Sequence, residues 1–188
     1  GNYVNGVLRA VTRKRDALDF PDRSADPVKW LSVTRSFPEW MIQRWINRYG
    51  LADTIRQCEM INRVPPITVR VNTLKAVYAR VSETLAREAA HVEDGRFAPD
   101  AISFYAPKES IDALKSFING WFQVQDEAAQ LACRLLDPQP KELVLDACAG
   151  LGGKTGYIAQ LMENRGKVLA ADSDRRRLRL LAGEMDRL

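Results

Sequence analysis

The segment with the clearest chemical potential is the glycine-rich stretch VLDACAGLGGKTGY, residues 144–157. It departs from the phosphate-loop pattern G-x-x-x-x-G-K-[ST] because Cys148 stands where the first glycine belongs. It departs from the dinucleotide pattern G-x-G-x-x-G because Thr155 stands where the third glycine belongs. Both patterns rely on glycines that let the backbone approach a ligand and on unpaired N–H groups at a helix start. The segment shares these features and belongs to neither class.

An acidic residue follows the glycine-rich segment, at the end of the next strand-like stretch. Asp172 ends the strand-like segment GKVLAAD and lies twenty residues after Gly152. A carboxylate at the carboxyl end of the second strand of a βαβ unit can accept hydrogen bonds from ribose hydroxyls. Loop and acid together predict an adenosine-type site, and S-adenosylmethionine fits because a sulfonium and an amino-acid tail replace phosphates. The alternatives are a glycine turn that only joins strand to helix, and a nicotinamide-dependent oxidoreductase.

The elements that would position this pair occur in the order strand, turn, helix, strand. KELVLDA and GKVLAAD are short apolar segments typical of buried strands, and GGKTGYIAQLME predicts a helix that begins just after the glycines. Such a βαβ unit implies a parallel strand pair. Upstream, the alternating segment ITVRVNT opens a run of strand and helix patterns that predicts a small α+β unit from Pro66 to about Gln125. Arg70 and Asn72 lie on the polar face of its first strand, where RNA contact and a solvated or capping role are both open.

The first part of the chain has helical patterns. Residues 2–18 carry apolar side chains at roughly helical spacing. SFPEWMIQRWINRYG predicts a helix with Ser36 as its N-cap and Gly50 as its end. Trp40 and Trp45 fall on the apolar face of that helix, so we expect both to pack in a core.

Composition narrows the function classes. The chain has 188 residues, a net charge of +4 and a pI of about 9.1, which is compatible with nucleic-acid binding. Three widely spaced cysteines predict neither a disulfide framework nor a zinc site, and favour the cytoplasm. His91 is the only histidine and is expected at the surface, which disfavours a Ser-His-Asp triad and a multi-histidine metal site. No segment is long and apolar enough to predict a membrane span.

One basic cluster stands out near the end of the sequence. It consists of Arg175, Arg176, Arg177 and Arg179. These side chains are expected either to decorate a solvated helix face or to steer RNA phosphates toward the protein.

Several segments resemble the RNA 5-methylcytosine methyltransferases of the NOL1/NOP2/Sun family, whose cofactor loop reads Asp-x-Cys-Ala-Ala-Pro-Gly-Gly-Lys-Thr. VLDACAGLGGKT is similar to this loop, with Gly150 in place of the second alanine and Leu151 in place of the proline. WFQVQDEAAQLA is similar to the family's entry into the catalytic domain, and PPITVRVNTLK to the opening of its RNA-binding region. YVNGVLRAV resembles the last helix of a NusB-like domain. The resemblance covers nearly the whole chain.

The resemblance implies an α/β fold, namely a truncated Rossmann-like S-adenosylmethionine-dependent methyltransferase sheet preceded by a helical segment and a small α+β RNA-binding region. It implies a NusB-like remnant over residues 1–20, the RNA-binding region over 28–120 and an incomplete methyltransferase domain over 121–188. The expected cofactor is S-adenosylmethionine, with Asp172 at its ribose. The loop residues expected at its methionine and sulfonium end are Cys148, Ala149, Gly150, Leu151, Gly152, Gly153 and Lys154.

The implied reaction is methylation of cytosine C5 in RNA, with small-subunit rRNA as the expected partner and no metal. Cytosine C5 is a poor nucleophile until a thiolate adds at C6, and a base must later remove the C5 proton. In the family the nucleophilic cysteine comes from later strands, so Cys148 is not expected to be the nucleophile. We therefore expect the chain to be an excerpt of a longer enzyme that is inactive alone and binds the cofactor weakly. The alternative is a non-catalytic RNA-binding module of methyltransferase shape.

Overall fold

The computed structural model describes residues 2–14 and 19–188, which divide into two compact units with their sequence boundary between Val64 and Pro65. The described residues of the first unit form the helices α1 (Asn2–Arg13), α2 (Pro27–Arg35) and α3 (Glu39–Ile61). The second unit opens with β1 (Ile67–Val71), α4 (Tyr78–Glu88), β2 (Ala90–Asp94), β3 (Ala101–Tyr105), α5 (Lys115–Ile118) and β4 (Phe122–Val124). It continues with α6 (Glu127–Leu136), β5 (Leu143–Asp146), α7 (Gly153–Leu161), β6 (Lys167–Ala170) and α8 (Arg175–Arg187).

The first unit has a small core formed by Leu31, Ile42 and Cys58. The predicted cap at Ser36 is wrong, because Ser36 ends α2 in the left-handed conformation and α3 starts at Glu39 after Pro38. Gly50 interrupts α3 with a non-helical φ of 79°, so the helical run kinks there and continues. Leu18, the last apolar residue of the predicted first helix, lies outside the described residues.

The predicted packing of the two tryptophans is correct for one of them. Trp45 packs against the core of the first unit, with its ring centroid 5.4 Å from that of Phe37. The prediction for Trp40 is wrong, since its side chain is 64% exposed. Trp40 is the second residue of α3, where the helix has only just begun and its apolar face is not yet covered.

The second unit begins with a four-stranded antiparallel sheet of order β2-β3-β1-β4. Because side chains alternate along a strand, β1 directs Val69 and Val71 toward a core with Val81 and Leu85 of α4. His91 lies in the edge strand β2 of this sheet. His91 itself is exposed, as predicted.

The last part of the unit contains the two-stranded parallel sheet, in which Asp146 pairs with Ala170. This pairing confirms the predicted parallel strands around the glycine-rich turn. Helices α6 and α7 supply a core of Cys133, Tyr157, Ile158 and Met162 on one face of this sheet. The prediction that both strands are buried is wrong for the opposite face, where Leu145 is 64% exposed.

The observed fold is α/β, with a small antiparallel sheet and helices followed by a βαβ unit, as predicted. Over residues 2–14 and 19–188, every helix is too short or too polar to cross a bilayer.

Candidate functional site

The glycine-rich turn joins the end of β5 to the start of α7. Gly152 has a φ of +88°, a left-handed conformation that glycine adopts without strain. A Cβ atom at this position would also lie 2.8 Å from Cγ of Leu181 in α8, so the turn and α8 can pack this closely only with glycine. Gly150 has a φ of +57°, and a Cβ there would meet no atom within 4 Å. Gly150 therefore borders open space, where a ligand could approach the backbone.

Backbone and side-chain hydrogen bonds hold this turn at the carboxyl ends of the two parallel strands. The Ala149 N–H donates to the Ala171 carbonyl at 2.9 Å, and the Ala171 N–H donates to the Asp146 carbonyl at 2.8 Å. The buried Thr155 hydroxyl donates to Asp146 Oδ2 at 2.7 Å. The last contact ties the first turn of α7 to the end of β5, so helix and strand are fixed on both sides of the glycines.

The acid predicted to lie beside the turn is in contact with it. The Gly150 N–H donates to Asp172 Oδ2 at 2.9 Å, and the Asp174 N–H donates to Asp172 Oδ1 at 2.8 Å. The N–H groups of Asp174 and Gly150 lower the pKa of Asp172, so the carboxylate stays ionised at neutral pH. Each carboxylate oxygen has a second lone pair that can accept a further hydrogen bond. The structure thus places a partly exposed acceptor against Gly150, two residues before the Gly152–Gly153 pair that starts the helix.

The start of α7 offers unpaired backbone donors. Gly152 is the N-cap residue of this nine-residue helix and makes no side-chain capping hydrogen bond. The first N–H groups of a helix lack intrahelical partners and carry partial positive charge. Lys154 is exposed in this first turn and adds a full positive charge. The arrangement can hold an anionic group such as a carboxylate.

The other predicted loop residues differ in what their side chains can reach. Cys148 and Leu151 are exposed, and Gly153 is half-buried. Ala149 as a whole is buried, so it offers little surface to a ligand. Within the described residues no three His, Cys, Asp or Glu side chains gather closely enough to hold a metal ion. Whether the loop residues bind a cofactor stays a prediction.

Arg70 and Asn72 are both buried, so the solvated role that sequence reasoning left open for them is wrong. Arg70 is only 1% exposed, and its Nη1 donates to the Gly153 carbonyl at 2.7 Å and to the side chain of Gln125. The buried Asn72 donates from Nδ2 to the Gly120 carbonyl at 3.0 Å, and its Oδ1 accepts from the Leu74 N–H. Arg70 lies on the polar face of β1, where strand alternation predicts solvent, and Asn72 directly follows the strand. The sequence holds no signal that this face is covered.

A polar network behind α7 was also missed by sequence reasoning. The phenol of the fully buried Tyr157 donates to Asp100 Oδ2 at 2.7 Å and accepts from Arg134 Nη1 at 3.1 Å. The Arg70 guanidinium carbon lies 4.7 Å from the centroid of the same ring. These contacts connect α6 and α7 to the antiparallel sheet within the second unit.

The basic cluster lies in the first turns of α8. Arg175, Arg176, Arg177 and Arg179 are exposed there. Arg177 Nε lies 3.9 Å from Asp174 Oδ2, at the N-cap of the helix. The cluster is a solvated face, and steering of RNA phosphates by it stays a prediction.

Two family models match the chain, one across the boundary between the two units and one within the second unit. Residues 37–109 match a model described as "Methyltr_RsmF/B-like, ferredoxin-like domain". Residues 133–188 match a model described as "16S rRNA methyltransferase RsmB/F". The second match contains the whole glycine-rich turn and Asp172.

Curated relatives agree with these models. The chain is 39% identical over 188 residues to the "Probable ribosomal RNA small subunit methyltransferase B" of Bacillus subtilis (strain 168), a match that covers 100% of this chain and 41% of that protein. It is 32% identical to the "28S rRNA (cytosine-C(5))-methyltransferase" of Mus musculus, over 85% of this chain and 20% of that protein. The chain thus spans less than half the length of these relatives.

Solved structures share the fold. A methyltransferase homolog protein from Pyrococcus horikoshii superposes with a TM-score of 0.73 at 29% identity, and the match covers 84% of this chain and 51% of that one. NSun6 from Pyrococcus horikoshii, solved with SFG, has a TM-score of 0.69 over 82% of this chain and 63% of that one. Its 19% identity shows the fold alone. Taken together, the family models and relatives show that this chain belongs to the RsmB/F rRNA methyltransferases, within the NOL1/NOP2/Sun family indicated by its glycine-rich turn.

Proposed function

We propose that this chain carries the S-adenosylmethionine-binding loop of an enzyme that methylates cytosine C5 in rRNA, with small-subunit rRNA as the substrate. The observation that carries the proposal is the 2.9 Å hydrogen bond from the Gly150 N–H to Asp172 Oδ2. It places an ionised carboxylate from the end of β6 against the turn that leads into α7. An adenosine site of the Rossmann type needs this juxtaposition.

The residues present fit such a cofactor. Asp172 would accept hydrogen bonds from the ribose hydroxyls, because its oxygens keep free lone pairs beside their backbone donors. The N–H groups at the start of α7, with Lys154, would hold the methionine carboxylate by their positive charge. Gly150 leaves open space where a side chain would stand. Bound S-adenosylmethionine would supply the methyl group.

The cysteines of this chain are proposed to have other roles than attack on the base. Cys148 is exposed in the cofactor loop, where we assign it to cofactor contact along with Ala149, Leu151, Gly152 and Gly153. Cys58 and Cys133 are buried, and burial raises the pKa of both thiols, which disfavours the reactive thiolate. We therefore place the C6 nucleophile outside residues 1–188. This chain alone is expected to transfer no methyl group to RNA.

The regions before the loop are proposed to serve RNA binding. We assign residues 28–120 to RNA contact, residues 121–188 to the methyltransferase domain and residues 1–20 to the end of a NusB-like domain. The relatives that match these segments are rRNA methyltransferases by name, which supports a structured RNA as the partner. The expected compartment is the cytoplasm.

Titration calorimetry with S-adenosylmethionine and with NADH tests the cofactor assignment. Both ligands contain adenosine, so they compete for the same kind of ribose site and differ in the group placed at the glycine turn. We expect weak but measurable binding of S-adenosylmethionine and weaker binding of NADH. Tighter binding of NADH would favour an oxidoreductase and refute the proposal.

A second experiment tests whether this chain alone can transfer the methyl group to RNA. The purified chain is incubated with rRNA and S-adenosylmethionine labelled at its methyl group, and radioactivity in the RNA is counted. We expect none above a no-protein control. Methyl transfer by the chain alone would show that a C6 nucleophile lies within it.

A further inference from the structure

Arg70 connects the antiparallel sheet to the glycine-rich turn. It lies in β1, and its Nη1 donates a 2.7 Å hydrogen bond to the carbonyl of Gly153, the first residue of α7. The same nitrogen donates to Gln125, the residue that follows β4. The guanidinium covers the ring of Tyr157, one turn further along α7. The Arg70 side chain therefore contacts α7 at two residues that lie one helical turn apart.

The charge of Arg70 has no acidic partner within ion-pair distance among residues 2–14 and 19–188. Burial lowers the pKa of Arg70 to about 10, which leaves the guanidinium charged at neutral pH. A buried cation without an acidic partner is unfavourable for folding. The Nε atom of Arg70 is also buried without a hydrogen-bond partner among the described residues. Packing alone would be served better by an apolar side chain of similar volume.

The position of Arg70 suits a task at the start of α7. Its hydrogen bond fixes the orientation of the Gly153 peptide, and the N–H groups of the same turn are the ones available to a ligand. Its positive charge also lies beside the first turn of the helix, which raises the potential felt by an anionic group at that end.

We propose that Arg70 is a positioning residue for the cofactor loop, which it holds through the Gly153 carbonyl so that the first amides of α7 face the ligand. This inference rests on the proposed function of the loop. It assigns Arg70 to the cofactor site rather than to RNA contact. It also makes the position of the loop depend on the antiparallel sheet.

The test compares Arg70→Met with a matched control, Arg187→Met. Arg187 is also largely buried, with a side chain 14% exposed, and it too donates to backbone carbonyls, at 2.8 Å to Phe117 and 3.1 Å to Phe122. Its guanidinium carbon lies 3.8 Å from the centroid of the Phe117 ring. Methionine keeps an unbranched apolar stem at either position and removes the guanidinium, and with it the charge and the donors. Arg70→Lys is a third variant that keeps the charge and one donor nitrogen but lacks the planar guanidinium, in case Arg70→Met does not fold.

Two readouts are taken on the 188-residue chain. Amide NMR signals of Gly150, Gly152 and Gly153 in the ligand-free protein report the position of the loop. The Kd for S-adenosylmethionine, measured well below the unfolding temperature, reports its consequence for binding. A role limited to stability would lower the Tm and leave both readouts unchanged.

We expect Arg70→Met to shift the three glycine signals and to weaken binding about tenfold, with Arg70→Lys in between. Arg187→Met is expected to leave the glycine signals in place and the Kd within about twofold. Unshifted glycine signals in Arg70→Met, or equal weakening by the two methionine variants, would overturn the role of Arg70. A wild-type chain that binds no S-adenosylmethionine would instead refute the proposed function, and the glycine signals would still decide whether Arg70 positions the turn.

Discussion

The Tyr157 hydroxyl donates a hydrogen bond to Asp100 Oδ2 at 2.7 Å and thereby joins α7 to the residue that precedes β3. Arg134 of α6 donates to the same phenol oxygen at 3.1 Å. Three segments that are far apart in sequence thus meet at one buried hydroxyl. Because α7 begins at the glycine-rich turn, this network helps to set the position of the candidate site.

Replacing Tyr157 with phenylalanine removes only the hydroxyl and leaves the ring in the core. We expect Tyr157→Phe to lower the free energy of unfolding by about 1–2 kcal/mol, because Asp100 loses a buried donor. Urea denaturation followed by circular dichroism measures this change. Tyr105→Phe, in a partly buried ring against His91, is the control and should change stability by less than about 0.5 kcal/mol. Equal effects of the two substitutions would argue against the network.

The same tyrosine predicts a pH dependence. Burial, with the Asp100 hydrogen bond as a further cause, raises the pKa of Tyr157 to about 12, whereas an unfolded tyrosine has a pKa of about 10. Between these values the unfolded chain has released a proton that the folded chain still holds, so stability falls as pH rises. The stability difference between wild type and Tyr157→Phe should therefore be constant up to about pH 9.5 and shrink above about pH 10. A difference that stays constant or grows up to pH 11 would contradict the expected direction.

The glycine at the start of α7 gives a third prediction. An alanine at position 152 would have to adopt the backbone φ of +88°. Its Cβ would also lie 2.8 Å from Leu181 Cγ. We expect Gly152→Ala to lower the free energy of unfolding by about 1–3 kcal/mol and to displace α8. Gly183→Ala is the control, since a Cβ there meets nothing within 4 Å and the residue lies inside α8. This control should be stabilised by up to about 1 kcal/mol. Thermal unfolding separates the two, and a loss of stability in both would refute the packing argument.

The basic cluster on α8 gives a fourth prediction, which concerns RNA. Arg176 is exposed, and its side chain makes no ion pair among the described residues. If the cluster steers phosphates, Arg176→Glu should weaken RNA binding mainly below about 0.1 M salt, where screening is weak. Lys141→Glu, a charge reversal at an exposed residue outside both the cluster and residues 28–120, controls for net charge. Filter binding across a salt series measures both variants. A curve for Arg176→Glu that matches Lys141→Glu at every salt concentration would exclude the steering role.

The βαβ unit and its acid could be predicted because their signals are local. Two apolar runs flank a glycine-rich turn, and a strand of known direction brings Asp172 to the same sheet edge as that turn. The parallel pairing needed only this order of elements. The exposure of Leu145 was not predictable in this way, because a short apolar run does not say how many of its faces are covered.

The burial of Arg70 could not be predicted, for a physical reason. Alternation along β1 assigns Arg70 to the polar face of a sheet, and a polar face usually meets water. Here α6 and α7 cover that face, and the carbonyl that accepts from Arg70 belongs to Gly153, 83 residues later. Contacts of that range depend on how the helices pack, which periodicity does not report. The prediction for Trp40 is wrong in the opposite direction, because this residue was expected in the core and is exposed. An apolar face on a helix does not guarantee packing partners for the first residues of that helix.

The affinity of Asp172→Asn for S-adenosylmethionine, measured against that of Asp174→Asn, tests the central claim most directly. Both residues follow β6 and accept backbone N–H groups, but only Asp172 accepts from Gly150 in the turn, and asparagine can still cap α8 at position 174. We expect Asp172→Asn to weaken binding about tenfold and Asp174→Asn to change it by less than about twofold. Unchanged affinity in Asp172→Asn, or equal losses in both variants, would contradict the assignment of the turn and Asp172 as the cofactor site.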